Sequence, residues 1–183
     1  MAIDGLQRRL SPDVTQVLIT HVQEMLIAAG EVRRVKTQVA LAGHAPLLAL
    51  TPTQKLALQR IETALRDGGV TPPDREDLCA SDPDDRDLLT LLIDLDRAVP
   101  LLNHAQRKTL VFHVEALLQA RADLASAFPQ TTAFTTGEAR VALSTSRKFI
   151  VPILEHFDHM RWTVRTDDLR QIVDPMATEI DLI

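Results

Sequence analysis

Residues 135–170 read TTGEARVALSTSRKFIVPILEHFDHMRWTVRTDDLR, and this stretch decides the fold. Thr135 and Glu138 stand three apart, the spacing of a capping box, and start a brief helix that closes near Leu143. Ser144 and Thr145 can cap a longer helix from about Ser146 to Met160. In it Phe149, Ile150, Ile153, Leu154, Phe157 and Met160 fall on one side, while Lys148, Val151, Glu155 and Asp158 fall on the other, with Arg147 at the border. Pro152 sits mid-helix, where it removes one hydrogen bond and should bend the axis. WTVR, the turn TDD and LRQIV then read as a β-hairpin. Upstream, Val114 to Ala127 has apolar residues at helical spacing, Phe128-Pro129 ends it, and Thr132 to Phe134 is a short extended piece. Helix, short strand, helix, helix and hairpin is the winged-helix order.

The same order recurs upstream. Pro52 to Arg66 is a helix capped by Thr51 and stopped by Gly68-Gly69. Asp74 to Ala80 is a short second helix, and Pro83, behind Asp82, starts a third that reaches about Arg97. Val99 to Leu102 and Thr109 to Phe112 make a hairpin around Asn103-His104. A first, incomplete unit has Gly5 to Leu10 as second helix, Pro12 to Ala29 as third, and VRRV with QVALA as hairpin. No first helix precedes these, so a fragment, or a chain whose N-terminal part lies elsewhere, is expected. The fold class is mainly α (α+β), with tandem winged helices at 1–50, 51–112 and 113–175 and a tail at 176–183.

Composition agrees with a helical binder. Hydrophobic residues make up 45% of the 183-residue chain but aromatic residues only 3%, so Leu, Ala, Val and Ile must fill the cores, and Ala and Leu lead the helix-propensity scale. The formal charge of −5 has the wrong sign for a protein coated in nucleic acid, so any such site is a local patch. Cys79 is the only cysteine, which rules out an intramolecular disulfide. The opening residues lack the apolar core of a signal peptide, and no apolar run approaches the roughly 18 residues of a membrane span. The expected compartment is the cytoplasm, with no membrane partner and a monomeric chain. No G-x-x-x-x-G-K-[ST] motif occurs, so the chain is not by itself a GTPase. No catalytic constellation is visible, and an enzyme is not expected.

Cations stand where a winged helix touches nucleic acid. Arg147 and Lys148 lie in the first turn of the third helix, where the positive dipole end disfavours them unless an anion docks. Ser144, Thr145 and Ser146 can offer hydroxyls to that anion, although capping competes for at least one of them. Arg165 and Arg170 flank the wing turn and, in a symmetric hairpin, face each other as a like-charge pair. A partner anion would relieve that pair, or Asp167 and Asp168 would neutralise it. Asp168 can also accept from a guanine edge. Arg161 at the start of the wing and Arg140 on the short helix are candidates for the same surface. Trp162 reads as core, alternating with an inward Val164, and Val151 can lie under an extruded base. His156 and His159 have a metal-compatible spacing but no companion ligands, so no metal is expected. Nine carboxylates between Asp74 and Asp96 make the middle unit a solvated acidic face that repels nucleic acid. Arg33, Arg34 and Lys36 form a weaker cationic spot, suited to tRNA or ribosomal RNA.

Thr145 to Lys148 (TSRK), followed by Pro152, Leu154, Glu155, Asp158, Thr163, Arg165, Asp168 and Arg170, resembles the last winged-helix domain of the bacterial selenocysteine-specific elongation factors, the SelB family. LAGH at 41–44, LTPTQ at 50–54 and LVFH at 110–113 also look like that family's joins between domains. The resemblance implies an RNA-binding C-terminal array that holds the selenocysteine insertion hairpin of mRNA. Selenocysteyl-tRNA would be delivered at UGA on the ribosome by the complete factor, with GTP bound only by preceding domains and no cofactor in this chain. Asp167 departs from the pattern, which usually has Gly there. Two other classes remain open: a winged-helix DNA-binding transcription regulator and a winged-helix scaffold for protein interactions.

Overall fold

The computed structural model describes residues 16–35, 38–41, 47, 49–129 and 132–173. The chain divides into two compact units, 1–50 and 51–183.

In the first unit, helix α1 (Gln16–Ala28) precedes an antiparallel hairpin of β1 (Val32–Val35) and β2 (Gln38–Leu41), with Val32 opposite Leu41. Gly30, at φ +74°, ends the helix. Its N–H bonds Ile27 O and the next N–H bonds Leu26 O, the paired bonds of a Schellman motif. The expected helix at 5–10 lies outside the described residues, as does Lys36; Arg33 and Arg34 lie on β1.

The second unit holds two winged helices. The upstream one comprises α2 (Pro52–Gly68), α3 (Arg75–Leu78), α4 (Asp85–Asp94), β3 (Ala98–Asn103) and β4 (Lys108–His113). Thr51 and Gln54 form a reciprocal capping box on α2, and Leu58, Ile61, Leu65, Leu89 and Leu92 interlock the two long helices. Helix α4 starts later than the proline suggests. The Asp82 carboxylate accepts from Asp84 N, and Asp85 Oδ2 accepts from Asp82 N, so residues 82–84 form a turn. It also stops early, because Asp96 takes φ +59° and completes a Schellman motif without glycine.

The downstream winged helix follows with no linker. His113, the last residue of β4, is the N-cap of α5 (Val114–Ala127), and its Nδ1 accepts from Glu115 N. Then come β5 (Phe134–Thr135), α6 (Thr136–Ala142), α7 (Arg147–His159), β6 (Thr163–Thr166) and β7 (Leu169–Ile172). The sheet order is β5-β7-β6, all antiparallel. The Thr135–Glu138 capping box forms as expected, and the cap N–H and hydroxyl hold the Glu138 carboxyl below its usual pKa. Ser144 does not cap α7. It sits at φ +48° and ends α6, its N–H on Val141 O and that of Thr145 on Arg140 O. Ser146 is the N-cap of α7, without a side-chain capping bond.

One hydrophobic core runs through both winged helices. Leu101, Leu110 and Phe112 of the upstream hairpin pack with Leu117, Leu124, Phe134, Ile150, Ile153 and Phe157 downstream, and Phe112 meets Phe149 edge-on. Polar bonds reinforce this junction. Thr145 Oγ1 donates to Val70 O at 3.2 Å, and Lys148 Nζ pairs with Asp74 Oδ1 at 2.8 Å. Asn103 Nδ2 donates to Lys148 O at 2.9 Å. That carbonyl is the one Pro152 leaves unbonded, four residues on, because proline has no N–H.

Trp162 is buried, as expected, against Phe157, with the Arg121 guanidinium over its ring. Its inward neighbour on the wing is Thr163 rather than Val164, which is half exposed. The Thr163 hydroxyl donates to Asp158 Oδ1 at 2.6 Å, and that bond sets the strand's facing. No described helix is long and apolar enough to cross a membrane.

Candidate nucleic-acid interface

The N-terminal turn of α7, the start of α6 and the wing enclose a groove of about 630 Å³. Its walls carry Arg140, Arg147 and Arg165, and its apolar floor includes Ile150 and Val151. Each element brings its residues for a local reason. The left-handed Ser144 turns the chain sharply between α6 and α7, which sets Arg140 and Arg147 on the same groove. The first-turn N–H groups of α7 have no intrahelical acceptor, and the dipole end is positive. No acidic side chain lies in that turn. Ser146 is exposed and lines the groove with its hydroxyl unengaged by the cap.

The wing closes over Asp167 and Asp168, with Thr166 opposite Leu169. Asp167 stands at φ +56°, a conformation glycine adopts without cost and aspartate tolerates better than most residues. The departure from the family pattern at this position therefore leaves a tight two-residue turn intact. Arg165 Nε donates to Asp167 O at 2.8 Å, which fixes the exposed guanidinium above the turn.

Arg165 and Arg170 are Cα partners across the hairpin, as the symmetric register requires. Arg170 is neutralised by a residue outside the turn. Arg170 is only 3% exposed, and its Nε bonds both oxygens of Asp158, at 2.9 and 3.2 Å, while Nη1 bonds Thr136 Oγ1. Asp158 is thus not an outward-facing residue of α7. It ties α7 to both wing strands, and Arg170 forms part of the groove wall as a neutralised cation. Asp167 and Asp168 take no part in this.

Lys148 also departs from expectation. Its ion pair with Asp74 and its position over the Phe149 ring turn it to the junction with the upstream winged helix, and it does not line the groove. The lysine in turn lowers the Asp74 pKa below its usual value. Thr145 lines the groove, although its hydroxyl is held by Val70 O. Asp168 lines it as well. Arg161 does not, because at φ +58° it ends α7, with its N–H on Asp158 O and that of Trp162 on Phe157 O.

The groove therefore collects Arg140, Thr145, Ser146, Arg147, Arg165, Asp168 and Arg170, and leaves out Lys148 and Arg161. It adds Thr135, Thr136 and Gly137, which sequence reading took only as the start of a helix, and the acidic Glu155. Chemically, it offers arginines and a helix terminus to phosphate, beside the apolar side chain of Val151. No group of three or more His, Cys, Asp or Glu able to hold a metal occurs among the described residues.

Residues 127–172 match the family described as elongation factor SelB, winged helix. No curated protein is significantly similar in sequence. A crystal structure of the bacterial selenocysteine-specific elongation factor EF-Sec superposes with a TM-score of 0.58 at 19% identity, covering 87% of this chain and 24% of that one. The chain thus spans about a quarter of the length of that factor. The segment that builds the groove thus matches the SelB winged-helix family, and the chain around it is similar in fold to part of a selenocysteine-specific elongation factor.

Proposed function

We propose that this chain is the RNA-binding C-terminal module of a selenocysteine-specific elongation factor. It holds the selenocysteine insertion hairpin of an mRNA, so that the complete factor delivers selenocysteyl-tRNA to the ribosome at UGA. The observation that supports this reading is the placement of the arginine-lined groove on the segment that matches the SelB family. In it Arg140, Arg147 and Arg165 neutralise backbone phosphates. An unpaired base enters over Val151, since proteins read folded RNA mainly where bases are splayed.

The geometry argues against a DNA reader that lays its helix along the major groove. Beyond the first turn of α7, Pro152 is buried and Glu155 faces the binding groove, so carboxylate would meet phosphate there. Fluorescence anisotropy with a bulged RNA hairpin and a DNA duplex of equal charge, at two salt concentrations, tests the proposal. A salt-sensitive preference for the hairpin, lost in Arg147→Glu, is expected. Preference for duplex DNA would indicate a transcription regulator, and binding to neither would leave a protein-interaction scaffold.

A further inference from the structure

The upstream winged helix is acidic along its helices, yet its own wing ends in His104, Arg107 and Lys108, all exposed. Neither Arg107 nor Lys108 is held in an ion pair or a side-chain hydrogen bond among the described residues. The turn that presents them is built rather than loose. Asn103 Oδ1 accepts from Gln106 N at 3.0 Å, and Arg107 is held at φ +52°, where an L-residue is strained by roughly 1 kcal/mol. A glycine would relieve that strain, and an arginine stands there instead.

This turn lies close to the groove. Asn103, the Cα partner of Lys108, bonds the carbonyl of Lys148, and Lys148 adjoins Arg147 in the first turn of α7. Lys148 holds the carboxylate of Asp74 at 2.8 Å, and the charge of Lys108 adds to the lowering of that acid's pKa. Cations therefore run from the tip of the upstream wing, past the junction, to Arg147 in the groove.

We propose that the 104–108 wing of the upstream winged helix is a second phosphate-binding surface, which takes the sugar–phosphate backbone of the stem of the hairpin held in the groove. This rests on the RNA-hairpin reading above. The upstream unit is then a second hand on the RNA as well as a spacer. Because the two wings share one core, the distance between the two contacts is fixed, and the surface discriminates stems by length.

The test compares the chain with its Arg107→Gln/Lys108→Gln variant on two RNA probes, a bulged hairpin with a long stem and the same hairpin with its stem cut short. The variant is expected to bind the long-stem probe about tenfold more weakly at low salt. Its slope of log affinity against log salt should flatten by about two, one per cation removed. Affinity for the short-stem probe should not change, whereas Arg147→Gln weakens both. Wild-type affinity and slope on the long stem, or equal loss on both probes, would overturn the second surface while leaving the groove reading intact. If the wild-type chain binds neither probe, both readings fall. Thermal melts of the variant, expected to match wild type, separate lost contacts from lost structure.

Discussion

Asn103 makes two hydrogen bonds whose loss can be weighed. Its Nδ2 satisfies Lys148 O, and its Oδ1 accepts from Gln106 N, while the side chain is 5% exposed. Asn103→Ala removes both. Leaving the Lys148 carbonyl unpaired at the junction costs about 1–3 kcal/mol, and the turn bond contributes about 1 kcal/mol more. A loss of roughly 2–4 kcal/mol in urea unfolding of the chain is expected. The special cause is Pro152, and a second substitution isolates it. Pro152→Ala restores an N–H four residues beyond Lys148, so the helix can satisfy the carbonyl itself. In that background Asn103→Ala should cost about 1–2 kcal/mol less, a favourable coupling readable from a double-mutant cycle. Strict additivity of the two substitutions would refute the claim that Asn103 stands in for the bond the proline removes.

Arg161→Gly should stabilise the chain by about 1 kcal/mol in thermal melts, because the residue ends α7 at φ +58°, where glycine is unstrained. Hairpin affinity should be unchanged, since Arg161 does not line the groove. Asp158→Ala should destabilise by about 3 kcal/mol in chemical denaturation, because it leaves the buried Arg170 guanidinium unpaired; a loss below 1 kcal/mol would contradict that role. Burial, then the charge of His159, lowers the His156 pKa below 6.5. The unfolded chain therefore binds the extra proton first, so stability is full above 6.5 and falls as pH drops below it. His156→Gln should remove that part of the acid slope in a pH series of melting temperatures.

Local chemistry made much of this fold readable. The capping boxes at Thr51 and Thr135 are satisfied by side chains three residues away, and the period of α7 follows from its own apolar residues. What sequence reading missed was decided at a distance or by exception. Asp96, Ser144 and Arg161 end three helices in the left-handed region, where a reader looks for glycine; the ends near Leu143 and Met160 were legible all the same, but α4 was carried on to Arg97 and Ser144 was taken as an N-cap. Arg140, Arg147 and Arg165 fell together in the groove because each lies at an element end that the winged-helix order brings together. Lys148 and Arg170 did not remain available, since their partners, Asp74 and Asp158, sit 74 and 12 residues away. A lone carboxylate on a helix gives no sign in sequence of the cation it will hold.

The most direct test of the central claim is residue-resolved amide chemical-shift mapping as a bulged RNA hairpin is titrated into the chain. With a short-stem hairpin, shifts should concentrate at Thr135 to Gly137, Ser146 to Val151 and Arg165 to Asp168, around the groove, and a long stem should add shifts at 104–108. A footprint on the acidic helices Pro52–Gly68 and Asp85–Asp94, or no saturable shift at the groove, would contradict the assignment.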